Sequence, residues 1–270
     1  MTFQLNPFLK KSIQSVADVG QMLFRKGWAE KNAGNLSWDV TDTVKVKTNQ
    51  LKTSAFHKNS HLPKEMAGRC FLVTGTGTRY RDIEKDPAGC LCILRPSEKG
   101  NGYHLLWGGQ RPGFGPTSEL SSHLRMQSSL LKRGGKLKVV LHTHPNELIV
   151  LTHLPETNNQ EALNWALWGM IPEAKLFVPK GVGLVPYRLT GSDELAGATV
   201  EVLEKGYKVV LWEKHGALAV GADPDEAFDL LDAMNKSATM YLLCKQTGRN
   251  PQGLTREQVE EIARTYPEKS

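Results

Sequence analysis

The sequence predicts a mixed α/β protein, read as a single domain over residues 1–270. Amphipathic helical stretches alternate with short apolar, strand-like runs along the whole chain, which is the pattern of helices covering a sheet. No stretch rich in Pro, Gly or Ser divides the chain, and no repeat period recurs. A composition of 40% hydrophobic and 23% charged residues is enough for a sizeable core.

The elements come in this order. "NPFLKKSIQSVADVGQMLFRKGW" places Ile13, Val16, Ala17, Leu23 and Phe24 at helical spacing, with Gly27 as a stop. "AEKNAGNLSWDV" is a small-residue turn running into a strand, and the polar stretch from Thr41 to Gly68 reads as a long hairpin plus loop. "CFLVTGTGTRY" is a buried strand ending in a Gly-rich turn, while "GCLCILRP" and "GYHLLWGG" are strands bounded by Gly and Pro. In "GPTSELSSHLRMQSSLLKRGG", Leu120, Leu124, Leu130 and Leu131 share a helical face behind a Thr-Ser entry able to cap.

In "LKVVLHTHPNELIVLT" a short strand meets Pro145, which can occupy a first helical turn, and "NELIVLTHL" continues as a helix. "AKLFVPKGVGLVPY" reads as strand and turn, and "GSDELAGATVEVLEKG" as a helix. "YKVVLWEKHGALAVG" reads as a strand pair. The helix after Asp223 carries a buried stripe of Phe228, Leu231, Met234, Ala238 and Tyr241, and a last helix starts at Thr255 with Gln258 in capping-box position.

The bulk numbers narrow the function. A formal charge of +6 raises nucleic acid as a partner, yet the basic residues are scattered without a block or interleaved aromatics, so no nucleic-acid partner is expected. The same mild positive field suits a small anion such as a sugar phosphate. No run of 18 apolar residues and no signal-peptide core are present, so neither a membrane partner nor export is expected. The four cysteines, Cys70, Cys90, Cys92 and Cys244, lack a CxxC spacing and are expected as reduced thiols in a cytoplasm.

The chemistry centres on His142 and His144. Residues two apart on a strand share a face, so two imidazoles can converge on one ion. A polar strand-to-helix turn is the bland alternative, and the motif needs a third ligand. The H-x-H patterns of metallo-β-lactamases, cupins and amidohydrolases do not fit a pair that lies mid-chain and runs into Pro145, Asn146 and a helix. Candidates are His57, His61, His104, His123, His153 and His215, of which His215 stands out because it follows a second "KVVL" strand and precedes Gly216. Three neutral nitrogens with an open position describe a catalytic zinc site. Such a site needs a proton-transfer group, and Glu119 stands at a helix start, where a carboxylate also complements the helix dipole. That first turn, with Thr117 and Ser118, is a natural phosphate cradle, and the turns "NAGN" (32 to 35) and "TGTG" (74 to 77) can add donors.

Taken in order, "GWAEKNAGNLS", "FLVTGTGTRYRD", "PTSEL", "VVLHTHPNELIVLT" and "VVLWEKHGALAVG" resemble the zinc-dependent class II sugar-phosphate aldolases, over roughly residues 10 to 245. Within that family the likeness runs nearest to the enzymes that cleave L-rhamnulose 1-phosphate. The resemblance implies a three-layer α/β/α fold around a mixed, mostly antiparallel sheet, a homotetramer, and one Zn²⁺ per subunit held by His142, His144 and His215. It implies Glu119 as acid/base. It gives Asn32, Gly34, Asn35, Thr76, Gly77, Thr117 and Ser118 to the substrate, and loosely matches Glu173, before the expected "LFVPKG" strand, to a position serving a neighbouring subunit.

The implied reaction is retro-aldol cleavage at C3–C4 to dihydroxyacetone phosphate and L-lactaldehyde. The competing readings are an L-fuculose-phosphate aldolase, an L-ribulose-5-phosphate 4-epimerase and, remotely, a non-catalytic adducin-like interaction domain.

Overall fold

The computed structural model of the chain describes residues 3–46 and 48–267, which fall into two compact units, Met1–Thr143 with Gly221–Asp225 and His144–Val220 with Glu226–Ser270. The first unit opens with α1 (Pro7–Arg25), started by Pro7 and by Asn6, whose side chain accepts from the Leu9 N–H at 2.9 Å. Leu9, Ile13, Val16, Ala17 and Leu23 are buried, each larger side chain stabilising the unit by about 1.5–3 kcal/mol. Phe24, expected on that stripe, is instead half-exposed at its edge beneath the Arg81 guanidinium.

After α1 come β1 (Asn35–Asp39), α2 (Thr48–Thr53), β2 (Ala55–Lys58), β3 (Phe71–Thr74), α3 (Pro87–Cys90), β4 (Leu91–Pro96), β5 (Gly102–Gly108), α4 (Leu120–Lys132) and β6 (Val139–Thr143). The strands run in the order β2-β5-β4-β3-β1-β6, and each pairing is antiparallel. Among the described residues the expected hairpin between Thr41 and Gly68 does not form: they hold α2, two 3₁₀ turns and one strand, β2, which pairs with the distant β5. Phe56 and His57 find ring partners there in His104 and Tyr103, while Leu62 and Met66 go into the core. Lacking apolar partners inside the stretch, its few anchors pack elsewhere.

The core beneath the site joins Phe71, Val73, Cys92, Leu94 and Tyr103 to Leu120 and Leu124 of α4. Burial of these two leucines pins the start of α4 against β3 and β4, which fixes where Glu119 stands. Leu131, expected on the same face, is largely exposed.

The second unit carries α5 (Asn146–Leu151), α6 (Gln160–Trp168), α7 (Pro172–Phe177), β7 (Val182–Val185), α8 (Asp193–Glu204), β8 (Val209–Trp212), α10 (Arg256–Thr265) and, apart from Gly221, Pro224 and Asp225, β9 (Gly216–Gly221) and α9 (Pro224–Gln246). β7 and β8 pair in parallel and β8 and β9 antiparallel, so the strands are mixed and mostly antiparallel, as expected. The buried stripe of α9 and the Thr255–Gln258 capping box are both as read from the sequence.

Three readings are corrected here. Pro145 is the extended residue preceding α5 rather than its first turn, and α5 stops at Leu151, where Thr152 turns its hydroxyl onto the Ile149 carbonyl. "AKLFVPKG" is no strand: Pro172 follows an extended Ile171 and starts α7, and strand geometry begins only at Val182. α6, started by the Asn159 cap, was not foreseen. Among the described residues no helix is long and apolar enough to cross a membrane.

Candidate active site

β1 carries the first part of the site. Asn35 and Ser37 lie on one face of the strand, and their Cα partners across the antiparallel pair with β6 are His142 and Val140. On that face α4 packs, and Asn35 donates from Nδ2 to Glu119 Oε2 at 3.0 Å. Glu119 is therefore joined through one side chain to the strand residue opposite His142. The structure makes Glu119 the residue preceding α4, not part of its first turn, and no side chain caps the helix there. Its carboxylate is turned to Asn35 instead.

The three small-residue turns converge in the first unit. The Leu36 N–H donates to Thr74 Oγ1 at 3.0 Å, tying the "NAGN" turn to the end of β3. The "TGTG" turn runs beside "PTS": the Thr76 N–H donates to the Gly115 carbonyl and the Thr117 N–H to the Thr74 carbonyl, both at 2.8 Å. Thr117 is buried and its hydroxyl accepts from the Glu119 N–H at 3.3 Å, whereas Asn32, Thr76, Gly77 and Ser118 are exposed at the turns. Gly34 has φ +81°, and a Cβ there would stand 2.7 Å from the His142 carbonyl oxygen and 2.8 Å from the Tyr80 ring. Only glycine lets the "NAGN" turn lie this close to the backbone of the H-x-H strand.

His142 is buried near the end of β6, and His144 follows beyond the strand's last residue, so the motif straddles a strand end. Asn235 fixes the turn out of it, accepting from the Leu148 N–H and donating to Glu147 at the start of α5. His215 sits in the tight turn between β8 and β9, where Lys214 adopts φ 58° and its N–H donates to the Thr152 hydroxyl. The His215 ring lies 5.0 Å from that of Trp212, which donates to Thr199, and 5.5 Å edge-on from that of His144. One ligand atom from each of His142, His144 and His215 lies within 4.8 Å of the others. Burial, and then the neighbouring His144, push His215 down to about 4, which keeps its imidazole neutral and its lone pair available. Three histidine nitrogens gathered this closely fit a borderline-soft divalent cation such as zinc.

Of the expected residues, Glu173 lies in the exposed first turn of α7, because the strand expected after it is a helix. Among the other candidate histidines, His123 is wholly buried and belongs to the site in a different way: its Nε2 is 2.5 Å from Asn35 Oδ1 and its Nδ1 is 2.9 Å from Ser37 Oγ. The sequence signal for this was its place four residues after Glu119, on the same helix face.

Comparison with known proteins completes the picture. Residues 14–242 match the family described as Class II Aldolase and Adducin N-terminal domain. The chain is 37% identical over 258 residues to the rhamnulose-1-phosphate aldolase of Bacteroides thetaiotaomicron, covering 95% of this chain and 94% of that one. It is 33% identical to the rhamnulose-1-phosphate aldolase of Klebsiella pneumoniae strain 342, covering 96% and 92%. Among solved structures, a sugar-phosphate aldolase from Thermotoga maritima superposes with a TM-score of 0.77 at 30% identity, over 91% of this chain and all of that one. An L-fuculose 1-phosphate aldolase shares the fold with a TM-score of 0.60 at 18% identity, over 98% and 99%. With its mixed, mostly antiparallel α/β fold, its three histidines and its family match, the chain belongs to the Class II Aldolase and Adducin N-terminal domain family and is of the aldolase kind.

Proposed function

We propose that the protein is a zinc-dependent aldolase that cleaves L-rhamnulose 1-phosphate to dihydroxyacetone phosphate and L-lactaldehyde. The observation that carries the reading is the convergence of the His142, His144 and His215 nitrogens in a chain so similar to proteins named for that reaction. The three histidines argue against a non-catalytic adducin-like role. The family match, running unbroken from residue 14 to 242, supports a single catalytic domain.

In this reading His142, His144 and His215 hold one Zn²⁺ per subunit. When bound, the cation supplies Lewis-acid stabilisation of the charge that develops on the ketose oxygens as the C3–C4 bond breaks. Glu119 moves the proton at C3, delivering it after cleavage and abstracting it in condensation. The Asn35 N–H holds Oε2 of that carboxylate, so Oε1 is assigned to the proton. Asn32, Gly34, Gly77 and Ser118 are assigned to the phosphate end through backbone N–H groups, and Thr76, Thr117 and Ser118 through their hydroxyls, the Thr76 and Thr117 N–H groups being bonded within the turns, while the Asn35 amide is held by Glu119 and His123.

Three further points belong to the same reading. A homotetramer, with Glu173 reaching a neighbouring site, follows the family resemblance. A cytoplasmic location follows from the substrate, since a phosphate ester does not leave the compartment in which it is made. No nucleic acid or membrane partner is proposed.

The test is a coupled assay for dihydroxyacetone phosphate release against a panel of ketose phosphates. L-Rhamnulose 1-phosphate should be preferred. Preference for L-fuculose 1-phosphate, or epimerisation of L-ribulose 5-phosphate without cleavage, would move the assignment to those activities.

A further inference from the structure

We propose that His123 is a positioning residue for the proton-transfer carboxylate, fixing the Asn35 amide through a hydrogen-bond chain of one direction so that its N–H, and not its carbonyl, faces Glu119. The inference rests on Glu119 being the proton-transfer group of the proposed reaction.

The direction of the chain is set at the Glu119 end, and the Gln127 end is compatible with it. At the far end Gln127 Nε2 lies 3.1 Å from the Ser37 carbonyl oxygen and 3.0 Å from that of Lys138. Carbonyls only accept, so the Gln127 atom facing them is its amide nitrogen. The same nitrogen lies 3.0 Å from Ser37 Oγ, so its two protons are shared among three acceptors. Ser37 Oγ lies 2.9 Å from His123 Nδ1, and because a neutral imidazole that donates from Nε2 to Asn35 must accept at Nδ1, the Ser37 hydroxyl donates there. The Nε2 N–H donates to Asn35 Oδ1 at 2.5 Å, which turns Asn35 Nδ2 onto Glu119 Oε2 at 3.0 Å. At this end the carboxylate only accepts, which calls for the Asn35 N–H, and the Gln127 contacts agree with the direction that follows.

A reversed Asn35 would set its carbonyl oxygen against the Glu119 carboxylate and its amide nitrogen against His123 Nε2, so the two neighbours hold one orientation together, and His123 is the anchor on the oxygen side. Ser37 and His123 are wholly buried and Gln127 nearly so, which leaves no room for water to substitute. Burial also pushes His123 down to about 3, so the imidazole stays neutral and keeps one donor and one acceptor at any working pH.

The experiment compares two substitutions in the metal-loaded enzyme. The Gln side-chain nitrogen reaches the place of Nε2, whereas Asn reaches only that of Nδ1. His123→Gln should keep kcat within about threefold, while His123→Asn should lower it about tenfold, the worth of one aligned hydrogen bond, with KM and bound metal unchanged. In a Glu119→Ala background His123→Asn should cost less than about twofold more. Equal losses in the two variants, no loss in His123→Asn, or a tenfold loss that persists without Glu119 would overturn the proposal.

Should His123→Asn fail to fold, Ser37→Ala decides: a kcat reduced about threefold at constant KM supports the chain, and an unchanged kcat overturns it. Independently of activity, ¹⁵N-histidine spectra should show His123 as the Nε2–H tautomer, and the Nδ1–H form would contradict the chain. If the wild-type protein releases no dihydroxyacetone phosphate, the aldolase reading fails while the tautomer still tests the chain.

Discussion

Asn35 stands opposite His142 in the β1–β6 pair and donates to Glu119 Oε2 at 3.0 Å, so one side chain links the strand of the proposed metal ligand to the proposed acid/base. Asn35→Asp replaces the N–H with a second carboxylate at that distance. Loss of the donor and like-charge repulsion should together lower kcat by about 100-fold, and steady-state kinetics on L-rhamnulose 1-phosphate read it. A kcat within threefold of wild type would remove Asn35 from its role.

Metal dependence is predicted for the three-histidine cluster. Protein stripped by chelator should lose cleavage activity and regain it with Zn²⁺. Single replacement of His142, His144 or His215 by Ala should reduce bound metal well below one per chain, by elemental analysis. Full activity in rigorously metal-free protein would sink the assignment.

Gly34→Ala tests the close approach of the "NAGN" turn to the His142 carbonyl. A left-handed φ of +81° and a Cβ 2.7 Å from that oxygen should together cost about 1–3 kcal/mol. A lowered thermal midpoint is expected, along with reduced kcat, because Asn35 is the next residue. An unshifted midpoint would show that the turn tolerates a side chain.

Acid sensitivity should carry a share from His123. Burial lowers its imidazole from the ordinary 6.5 to about 3, so between those values the unfolded chain binds a proton that the native state does not. Its contribution is fully present above about 6.5 and is lost as pH falls toward 3. At pH 5 the loss is about 2 kcal/mol. Urea unfolding of wild type and His123→Gln at pH 7 and pH 5 measures it: the wild type should lose more on acidification, and equal losses would show that folded His123 takes up a proton.

Much of this site was legible because its signals are local. H-x-H at a strand end, a His after a second apolar strand and a Glu after Thr-Ser are short patterns, and the structure gathers the three histidines. Long-range pairing was not legible. His123 and Ser37 are 86 residues apart, and the alternation in "NLSWD" suggests Ser37 on a solvated face, whereas α4 covers it and leaves it fully buried. The same holds for β2, whose partner β5 lies beyond two intervening strands in sequence. At Glu119 the helix-dipole role was also available to the sequence, and only the Asn35 contact shows where the carboxylate turns.

The most direct measurement is proton exchange at C3 of dihydroxyacetone phosphate in D₂O without aldehyde, followed by NMR for wild type and Glu119→Gln, both shown to hold metal. Wild type should exchange one of the two C3 hydrogens stereospecifically, and Glu119→Gln should slow that exchange by about 100-fold or more. Exchange by Glu119→Gln at a near wild-type rate would contradict the assignment of the C3 proton to this carboxylate.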